Sequence, residues 1–317
     1  AEQFAAAVNA TGGALDVSDL INFKPVWRNP IEVPLGDISI HFAPPPAAGG
    51  AVAAEMLAMM LQGQRLSNTP LETRPHLIVE TALRAYSDRA QWMRPDGGSS
   101  VANFDLVSSS RITPLMSSYR SDAHTPAGSL NPAPVEMAED PSATTFAVMD
   151  MDGAGVACAL TMNGLFGNGL VAGNTGVLMA SPPGSGGRGP FSLGPMLAVD
   201  HFTNDFFFAG AASGGVTAPT ALLSVAIENA INVGDLEAAM QAKRLHHSGA
   251  PDIVYYEQGY DEQAINTLIK KGHRVAATPS LGRVNAVACT QGLTFDPSSC
   301  AVATDPRGYG LALKVDK

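Results

Sequence analysis

The chain has 317 residues, enough for one large domain or two ordinary ones with a substantial core. Its net charge of −10 and the lack of any Lys/Arg run argue against a nucleic-acid partner, because phosphate binding needs a concentrated basic surface. No uninterrupted apolar run reaches the roughly 18 residues of a membrane span, and no signal-peptide pattern opens the chain. Charged residues make up only 15%, so we expect further polypeptide or a second copy to cover part of the surface.

The first zone, residues 1 to 96, is predicted to combine a strand with helices. Residues 37–42 alternate polar and apolar side chains, as in a half-buried strand. Residues 47–61 form an apolar run around a Gly-Gly pair, and residues 76–92 have the amphipathic pattern of a helix. The second zone, residues 97 to 143, is rich in Ser, Pro, Gly and Ala, and its tail is typical of a linker.

The third zone begins with a predicted β-hairpin. Two apolar runs, residues 144–149 and 155–162, flank a turn signal of the form Asp-x-Asp-Gly. Beyond a Gly-rich stretch, strands are predicted at 196–201 and 205–208, and helices at 217–231, at 236–245 after the cap Asp235, and at 263–271. This order indicates layered sheets and helices, an α+β fold, rather than a parallel βαβ series.

The three cysteines bear on compartment and metal binding. Cys158 lies in an apolar run and is predicted to be a small buried core residue. Cys289 and Cys300 flank a turn-like stretch, so they form either a cross-hairpin disulfide or two reduced thiols. A disulfide would favour a periplasmic or secreted location, with the cytoplasm as the alternative. Neither cysteine has a partner at zinc-ligand spacing, and no metal site is predicted.

Thr144 follows the flexible segment and opens the first strand of the hairpin. If the peptide bond before it were cut, the freed α-amine could act as general base for the hydroxyl of the same residue. This pattern alone is weak, because a Thr-Thr pair at the start of a strand is usually structural. Thr145 is the alternative nucleophile.

Two further segments carry groups that amide chemistry needs. Ser213-Gly214-Gly215 precedes a predicted helix, where glycine N–H groups could form an oxyanion hole, or simply a tight turn. Thr161 and Asn163 are two residues apart on one face of the second strand. They could present a hydroxyl and an amide beside the nucleophile, or merely decorate the end of a strand.

Taken in order, these segments resemble the γ-glutamyltranspeptidase family over almost the whole chain. The family's small subunit runs from a Thr-Thr strand through a turn, a Thr-x-Asn segment, a Gly-rich loop, a Gly-Gly pair and an Arg-x-His-His segment to Asp-Pro-Arg. The matching segments here are Thr144-Thr145, Asp150-Met151-Asp152-Gly153, Thr161-Met162-Asn163, Phe166-Gly167-Asn168-Gly169, Gly214-Gly215, Arg244-Leu245-His246-His247 and Asp305-Pro306-Arg307. Upstream, Gly12-Gly13-Ala14-Leu15 and Pro44-Pro45-Pro46 with Gly49-Gly50 are similar to the later part of the large subunit.

The resemblance implies the four-layer αββα sandwich of N-terminal-nucleophile hydrolases, without the first part of that fold. It implies residues 1–143 as the end of the large subunit and 144–317 as the small catalytic subunit. It also implies acyl transfer from a γ-glutamyl amide such as glutathione to water or an amine, with no cofactor. The residues it assigns are Thr144 as nucleophile, Thr161 as its hydrogen-bond partner, Gly214 and Gly215 as oxyanion donors, and Asn163, Ser192 and Ser213 as substrate contacts.

The sequence departs from the family pattern at several points. Counting back from Asp150 without a gap places Ala143, which has no hydroxyl, at the nucleophile position. The residues that hold the substrate's α-amino group would fall near Pro182 and Ser185, which cannot pair with an ammonium, and Leu193 replaces one of two substrate-binding serines. Because of these departures, two alternative functions remain: the chain is a β-lactam side-chain acylase, or it is a catalytically silent relative that acts as a binding or structural protein.

Two other motifs are given no catalytic role. Residues 184–189 are Gly-rich but lack the Lys-Ser/Thr of a phosphate loop, so a loop over the active site is the preferred interpretation. His246 and His247 are interpreted as structural, because the mechanism needs no imidazole base. Family precursors are longer than this chain, so the partner it lacks is either a large-subunit segment or a second copy.

Overall fold

The structure is a computed structural model that describes residues 1–133, 143–182, 192–231 and 234–315. Its helices are α1 (Glu2–Ala10), α2 (Val17–Asn22), α3 (Ala48–Leu61), α4 (Arg65–Asn68), α5 (Arg74–Trp92), α6 (Asn103–Leu106), α7 (Ser109–Leu115), α8 (Ala218–Ala226), α9 (Leu236–Gln241) and α10 (Glu262–Lys270). Its strands are β1 (Ile31–Leu35), β2 (Ile38–Phe42), β3 (Ala143–Met149), β4 (Gly155–Thr161), β5 (Met196–Asp200), β6 (Phe206–Ser213), β7 (Leu245–His246), β8 (Val254–Glu257), β9 (Val275–Thr278), β10 (Arg283–Cys289) and β11 (Cys300–Thr304).

A six-stranded antiparallel sheet in the order β1-β2-β5-β6-β10-β11 forms the centre of the molecule. Strand β6 lies between β5 and β10, and Ser213 of β6 pairs with Arg283 at one end of the β6–β10 register. Cys289 and Cys300 are directly opposite on β10 and β11 and are joined by a disulfide. Of the two alternatives for these cysteines, the structure has the bonded one.

Helices α3, α8 and α9 cover one face of this sheet, and α5 packs against α3. Helix α3 is almost entirely buried, and its apolar side chains join those of α8 and β10 in one core cluster. The Gly-Gly pair of α3 permits a close backbone approach, since a Cβ on Gly49 would lie 2.4 Å from the carbonyl oxygen of Ser192. A side chain at that position would therefore push the helix away from residues 192–194.

The β3–β4 hairpin packs on the opposite face of the sheet. Along β10, Val284 contributes to the helix-facing cluster, whereas Val287 and Cys289 contribute to a second cluster with Ala147 and Met149 of β3. Because side chains alternate along a strand, helices and hairpin lie on opposite sides of the sheet. The predicted α+β fold with layered sheets is confirmed.

A small third sheet, β7-β8-β9, lies beside α5 and α10. Its β8–β9 pair is parallel, and β7–β8 is antiparallel. Helix α10 begins at the side-chain cap of Asp261, whose Oδ1 accepts a hydrogen bond from the Ala264 amide at 2.7 Å. This sheet brings residues 244–247 and 273–278 against the side of α5.

Most predicted elements are confirmed to within a few residues. The helix predicted over 236–245 is wrong in its second half: it starts after Asp235 as expected but ends at Gln241. Ala242 is extended, with φ −53° and ψ 137°, and Leu245 and His246 form β7. Cys158 is half-buried rather than buried. Most of the predicted linker tail and the loop 184–189 fall outside the described residues, and no described helix is long and apolar enough to cross a membrane.

Candidate active site

The first residues of β3 lie against β4 in a fixed register, with Ala143 directly opposite Thr161. Cross-strand partners point to the same side of a hairpin, and side chains alternate along each strand. Ala143, Thr145 and Thr161 therefore lie on the half-buried side, which faces β6 and β10. Thr144 is on the other side and exposed, as is Phe146.

The hairpin is held in place at its turn and at its base. The Asp150 carboxylate accepts hydrogen bonds from the amides of Asp152 and Ala154, at 3.0 and 2.9 Å, which closes the turn. Gly155 begins β4 directly over the Phe206 ring, where a Cβ would lie 2.4 Å from a ring carbon. The Asp-x-Asp-Gly sequence thus sets the position of β3 over the sheet.

Asn285 of β10 holds the third residue of β3. Its side-chain Nδ2 donates hydrogen bonds to the main-chain oxygen of Thr145 at 2.8 Å and to the Thr145 Oγ1 at 2.9 Å. One amide group thereby fixes both the backbone and the hydroxyl of Thr145. On the neighbouring strand, Thr161 Oγ1 accepts a hydrogen bond from the Asn163 amide at 2.9 Å.

The turn after β6 requires glycine. Gly214 has φ 129°, and a Cβ there would lie 2.7 Å from Gly282 Cα and 2.8 Å from Thr217 Oγ1. Gly215 follows with φ 58° and opens a 3-10 turn that leads into α8. Successive glycines with positive φ at the start of a helix can present main-chain N–H groups as anion donors.

The hairpin and the paired ends of β6 and β10 border one pocket of about 580 Å³; Gly214 and Gly215 follow the lining residue Ser213 but are not lining residues themselves. The hairpin forms one wall, the ends of β6 and β10 form the floor, and the segment after β11 forms the other wall. The lining residues are Ala143, Thr144, Thr145, Leu160, Thr161, Met162, Leu165, Ser213, Arg283, Asn285, Asp305, Gly308, Tyr309 and Gly310. The expected residues Thr144, Thr145, Thr161 and Ser213 thus share one cavity.

A buried ion network supports the floor of the pocket. Arg244 Nη2 lies 2.6 Å from Asp305 Oδ2, and Arg307 lies 3.0 Å from Asp305 Oδ1 and 2.5 Å from Glu257 Oε2. Arg244 also donates to the carbonyl oxygen of Gly282, at 3.3 Å, the residue that packs against Gly214. Two cations and two carboxylates balance each other, so the burial of these charges is compensated.

Of the three expected substrate residues, Ser213 lines the pocket, whereas Asn163 and Ser192 are not among its lining residues. Asn163 has φ 61°, and its Nδ2 donates to the Ser181 carbonyl oxygen at 2.9 Å. Its buried Oδ1 has no hydrogen-bond partner within the described residues. Ser192 packs against the start of α3, where a Cβ on Gly49 would lie 2.4 Å from the Ser192 carbonyl oxygen. Pro182 is exposed, and Ser185 falls outside the described part of the chain.

His246 and His247 are not among the pocket-lining residues and are both buried. His246 Nδ1 lies 2.9 Å from Thr220 Oγ1, whose hydroxyl donates to the Thr217 carbonyl oxygen, so Nδ1 carries the proton. Burial lowers the pKa of His246 to about 3. His247 Nε2 lies 3.2 Å from Asp252 Oδ1. Their surroundings are those of structural histidines.

Sequence reasoning missed several pocket residues, among them Arg283, Asn285 and Tyr309. Arg283 and Asn285 are polar residues two apart in an otherwise apolar strand, so they lie on one face, and this face meets the hairpin. The alternation of polar and apolar residues in this strand could have identified Arg283 and Asn285 from the sequence. Tyr309 is fully exposed in a segment without regular structure, and nothing in its sequence context indicates that it borders a cavity.

Comparison with known proteins supplies the family context. The family model described as Gamma-glutamyltranspeptidase matches residues 1–182 and 183–315. The glutathione hydrolase proenzyme of Escherichia coli (strain K12) is 24% identical over 312 residues, covering 90% of this chain and 53% of the relative. The acylase ACY 1 proenzyme of Pseudomonas sp. (strain V22) is 26% identical over 314 residues, covering 92% of this chain and 53% of the relative. The chain thus spans about half the length of these two curated relatives.

A solved structure shares the fold. The cephalosporin acylase from Bacillus halodurans superimposes with a TM-score of 0.75 at 21% sequence identity. The match covers 96% of this chain and 56% of that one. At this level of identity the similarity shows a shared fold and leaves the substrate open.

Proposed function

Because the chain belongs to the γ-glutamyltranspeptidase family, we propose that it is part of a self-processing amidase that cleaves γ-glutamyl-type amides and passes the acyl group to water or an amine. The observation that supports this most is the pocket at the start of β3. There the Thr144-Thr145 pair, the Thr161 hydroxyl and the end of β6 at Ser213 border one cavity. An acyl-transfer site needs a nucleophile and oxyanion donors within one such space.

In the proposed mechanism, cleavage before Thr144 exposes its α-amine. The Thr144 Oγ attacks the amide carbonyl carbon while its proton passes to that amine, and the main-chain N–H groups of Gly214 and Gly215 stabilise the oxyanion. The C–N bond then breaks, the leaving amine takes the proton, and the acyl group remains as an ester on Thr144. Water or a second amine attacks the ester, which releases an acid or a new amide and restores the hydroxyl.

The role of nucleophile is assigned to Thr144 on chemical grounds. Ala143 has no hydroxyl, although it lies opposite Thr161. In the uncut chain the Thr144 side chain is on the exposed side, so the assignment requires the new terminus to turn once the bond to Ala143 is broken. Thr145 is the alternative nucleophile, since its hydroxyl already lies on the pocket side beside Asn285.

The substrate proposed is an amide with a small polar acyl group, glutathione-like in the first instance. Thr161 would bind the nucleophile, and Asn163, Ser192 and Ser213 would contact the substrate. The position expected to pair with an α-ammonium is occupied by Pro182, which has no acceptor side chain. This favours relaxed specificity and, as a second candidate, side-chain acylase activity of the kind named in the ACY 1 relative.

A catalytically silent relative is the candidate from another class. The cross-strand pair of Ala143 and Thr161 is the observation that favours it, because a methyl group then occupies the pocket side of the first residue of β3. In that case the chain would remain uncut and would act by binding. Either way, we propose that a large-subunit segment or a second copy completes the assembly. The Cys289–Cys300 disulfide supports a periplasmic or secreted location.

The intact mass of the protein under denaturing conditions, with N-terminal sequencing of each polypeptide, tests this proposal. We expect two polypeptides, the smaller beginning at Thr144, together with hydrolysis of glutathione or a γ-glutamyl anilide. Two polypeptides with activity only on a cephalosporin side chain would favour the acylase. A single uncut chain that hydrolyses no amide, even after Ala143→Thr, would favour the silent relative.

A further inference from the structure

A buried cluster of imidazoles lies between α5 and the segment before β9, and none of its members lines the pocket described above. His76 and Glu80 are four residues apart on α5, so they lie on the same face of that helix. His273 comes from the other side. One potential ligand atom from each of His76, Glu80 and His273 lies within 4.8 Å of the other two, and all three residues are buried.

The hydrogen bonds around the cluster fix where the lone pairs point. His76 Nε2 lies 2.8 Å from the carbonyl oxygen of Arg120, which can only accept, so Nε2 carries the proton and Nδ1 has a free lone pair. His273 Nε2 lies 2.8 Å from that Nδ1 and donates to it. The other nitrogen of His273, Nδ1, is then an acceptor, and it is buried without a partner within the described residues.

We propose that His76, Glu80 and His273 form a closed zinc-binding site. Two imidazole nitrogens and one carboxylate oxygen are a ligand set that suits Zn²⁺, and burial on all sides fits a structural rather than a catalytic ion. The spacing His-x-x-x-Glu on one helix places two ligands on one face, as in helical zinc motifs. The sequence prediction of no metal rested on the cysteines and did not weigh this spacing.

His124 lies beside this group and would supply the fourth donor atom of the proposed site. Its Nδ1 lies 3.0 Å from Glu80 Oε1, and its ring centroid is 4.4 Å from that of His273. The other ring nitrogen, Nε2, lies 3.2 Å from Asp252 Oδ2. This carboxylate would accept a hydrogen bond from the Nε2–H group and so orient the ring, as the hydrogen-bond partner of a metal-binding histidine does. With His124 as the fourth ligand, the proposed site would have four protein donors and no position for water.

The surroundings of Glu80 are compatible with a bound cation. Its Oε2 pairs with Arg84 Nη1 at 2.5 Å, and its Oε1 accepts from the Thr125 amide at 3.0 Å. A guanidinium and a main-chain amide both donate to this buried carboxyl group, as they do to an ionised carboxylate, which is the form that binds a metal.

Zinc binding would replace the proton between the two imidazoles. Zinc–nitrogen bonds of about 2.0–2.1 Å place tetrahedral ligands roughly 3.3 Å apart, about half an ångström farther than the His76–His273 contact of 2.8 Å. For His273 to bind zinc through Nε2, its proton must pass from Nε2 to the unpartnered Nδ1. For His124 to bind zinc through Nδ1, zinc must displace the proton on that nitrogen. Binding zinc should therefore release protons and weaken as the pH falls.

The site would also join two parts of the chain. His76, Glu80 and His124 precede the proposed cleavage point at Thr144, and His273 follows it. If the proposed processing occurs, zinc would hold the two polypeptides together through α5. This consequence depends on the proposed function, whereas zinc binding itself does not and is tested without any activity assay.

The test measures zinc and cobalt in purified protein that carries no polyhistidine tag. The protein is dialysed against EDTA, then against micromolar ZnCl2, and bound zinc is counted by mass spectrometry of the metal. CoCl2 replaces zinc in a parallel sample, because tetrahedral Co²⁺ absorbs visible light strongly. The variants are His76→Gln and His273→Gln, His273→Cys as a conservative ligand replacement, and His201→Gln, which removes an exposed imidazole outside the cluster.

We expect about one zinc per chain in the unaltered protein and in His201→Gln, with a rise of a few degrees in Tm. His76→Gln and His273→Gln should bind zinc at least about 100-fold more weakly, and His273→Cys should retain it. The proposal is overturned if the unaltered protein binds no zinc, or if both Gln variants keep it. If a Gln variant does not fold, the zinc count and the cobalt spectrum of the unaltered protein decide.

Discussion

Ala143 and Thr161 are cross-strand partners at the start of the β3–β4 hairpin, and both side chains lie on the side that faces the sheet. The exposed hydroxyl of Thr144 lies on the opposite side. An N-terminal nucleophile at Thr144 therefore depends on the release of its backbone from Ala143. Processing and activity should be lost together when this step is blocked.

Thr144→Ala should abolish both processing and amide hydrolysis. Loss of the nucleophile removes the covalent route, so we expect activity to fall by at least about 1,000-fold. Intact mass and hydrolysis of a γ-glutamyl anilide measure the two effects. Thr145→Ala is the matched control and should be processed, with reduced activity. If Thr145→Ala is inactive and Thr144→Ala is processed normally, the nucleophile is Thr145.

Asn285→Ala should lower kcat while leaving the fold intact. The amide of Asn285 positions both the main chain and the hydroxyl of Thr145, so its loss lets the start of β3 move within the pocket. We expect kcat to fall about 10- to 100-fold with a smaller change in KM. Asn103→Ala, which removes an exposed amide bonded to Asn29, serves as the control. A rise in KM alone would contradict the positioning role.

Gly214→Ala should destabilise the protein and inactivate it. The new Cβ would meet Gly282 Cα at 2.7 Å, and φ 129° is unfavourable for any side chain, so we expect a loss of about 3 kcal/mol or more in the free energy of unfolding. Gly36→Ala is the matched control: it has φ 60° but open space around it, and should cost only about 1 kcal/mol. Urea unfolding measures both. Equal losses would show that the contact with Gly282 is unimportant.

Arg244→Met should be far more costly than breaking a surface pair. It leaves the buried Asp305 carboxylate without its 2.6 Å partner, and removing one member of a buried pair costs about 3–5 kcal/mol. The exposed pair of Arg120 and Asp122 provides the comparison, since Arg120→Met should change the free energy of unfolding by less than about 1 kcal/mol. Similar values for the two variants would argue against a supporting role of the network.

Stability should fall as the pH is lowered from about 6.5 towards 3. Burial lowers the folded-state pKa of His246 to about 3, against an unfolded value of about 6.5, so between these values the unfolded chain takes up a proton that the folded chain excludes. Each unit of pKa difference corresponds to about 1.4 kcal/mol. His246→Gln should flatten this slope, as seen in unfolding measured at several pH values. An unchanged slope would indicate that other groups, such as His273, dominate.

The same histidine provides a test of the structural assignment. His246→Ala should leave measurable amidase activity, because the buried ring does not line the pocket and the base in the proposed mechanism is the free α-amine. The residual activity is measured on protein shown to be folded by circular dichroism. A loss as complete as that of Thr144→Ala, with the fold intact, would contradict these roles.

The sequence by itself determined the local elements and the family. Alternation at 37–42, the apolar run at 47–61 and the hairpin around the Asp150 turn follow from side-chain periodicity and turn chemistry, which act over a few residues. The ordered motifs identified the γ-glutamyltranspeptidase family for the same reason: each is a short contiguous string. The helix over 236–245 was predicted too long because β7 pairs with β8, a contact that periodicity does not encode.

Only the tertiary structure decided which side chains share a cavity and which share a buried cluster. Asn285 reaches Thr145 across 140 positions of sequence, and His76 meets His273 across 197. Such contacts depend on the order and register of the strands and on the packing of α5, which are set by the core as a whole. A shift of one residue in the β3–β4 register would change the residue opposite Thr161. The same shift would exchange the two faces of β3.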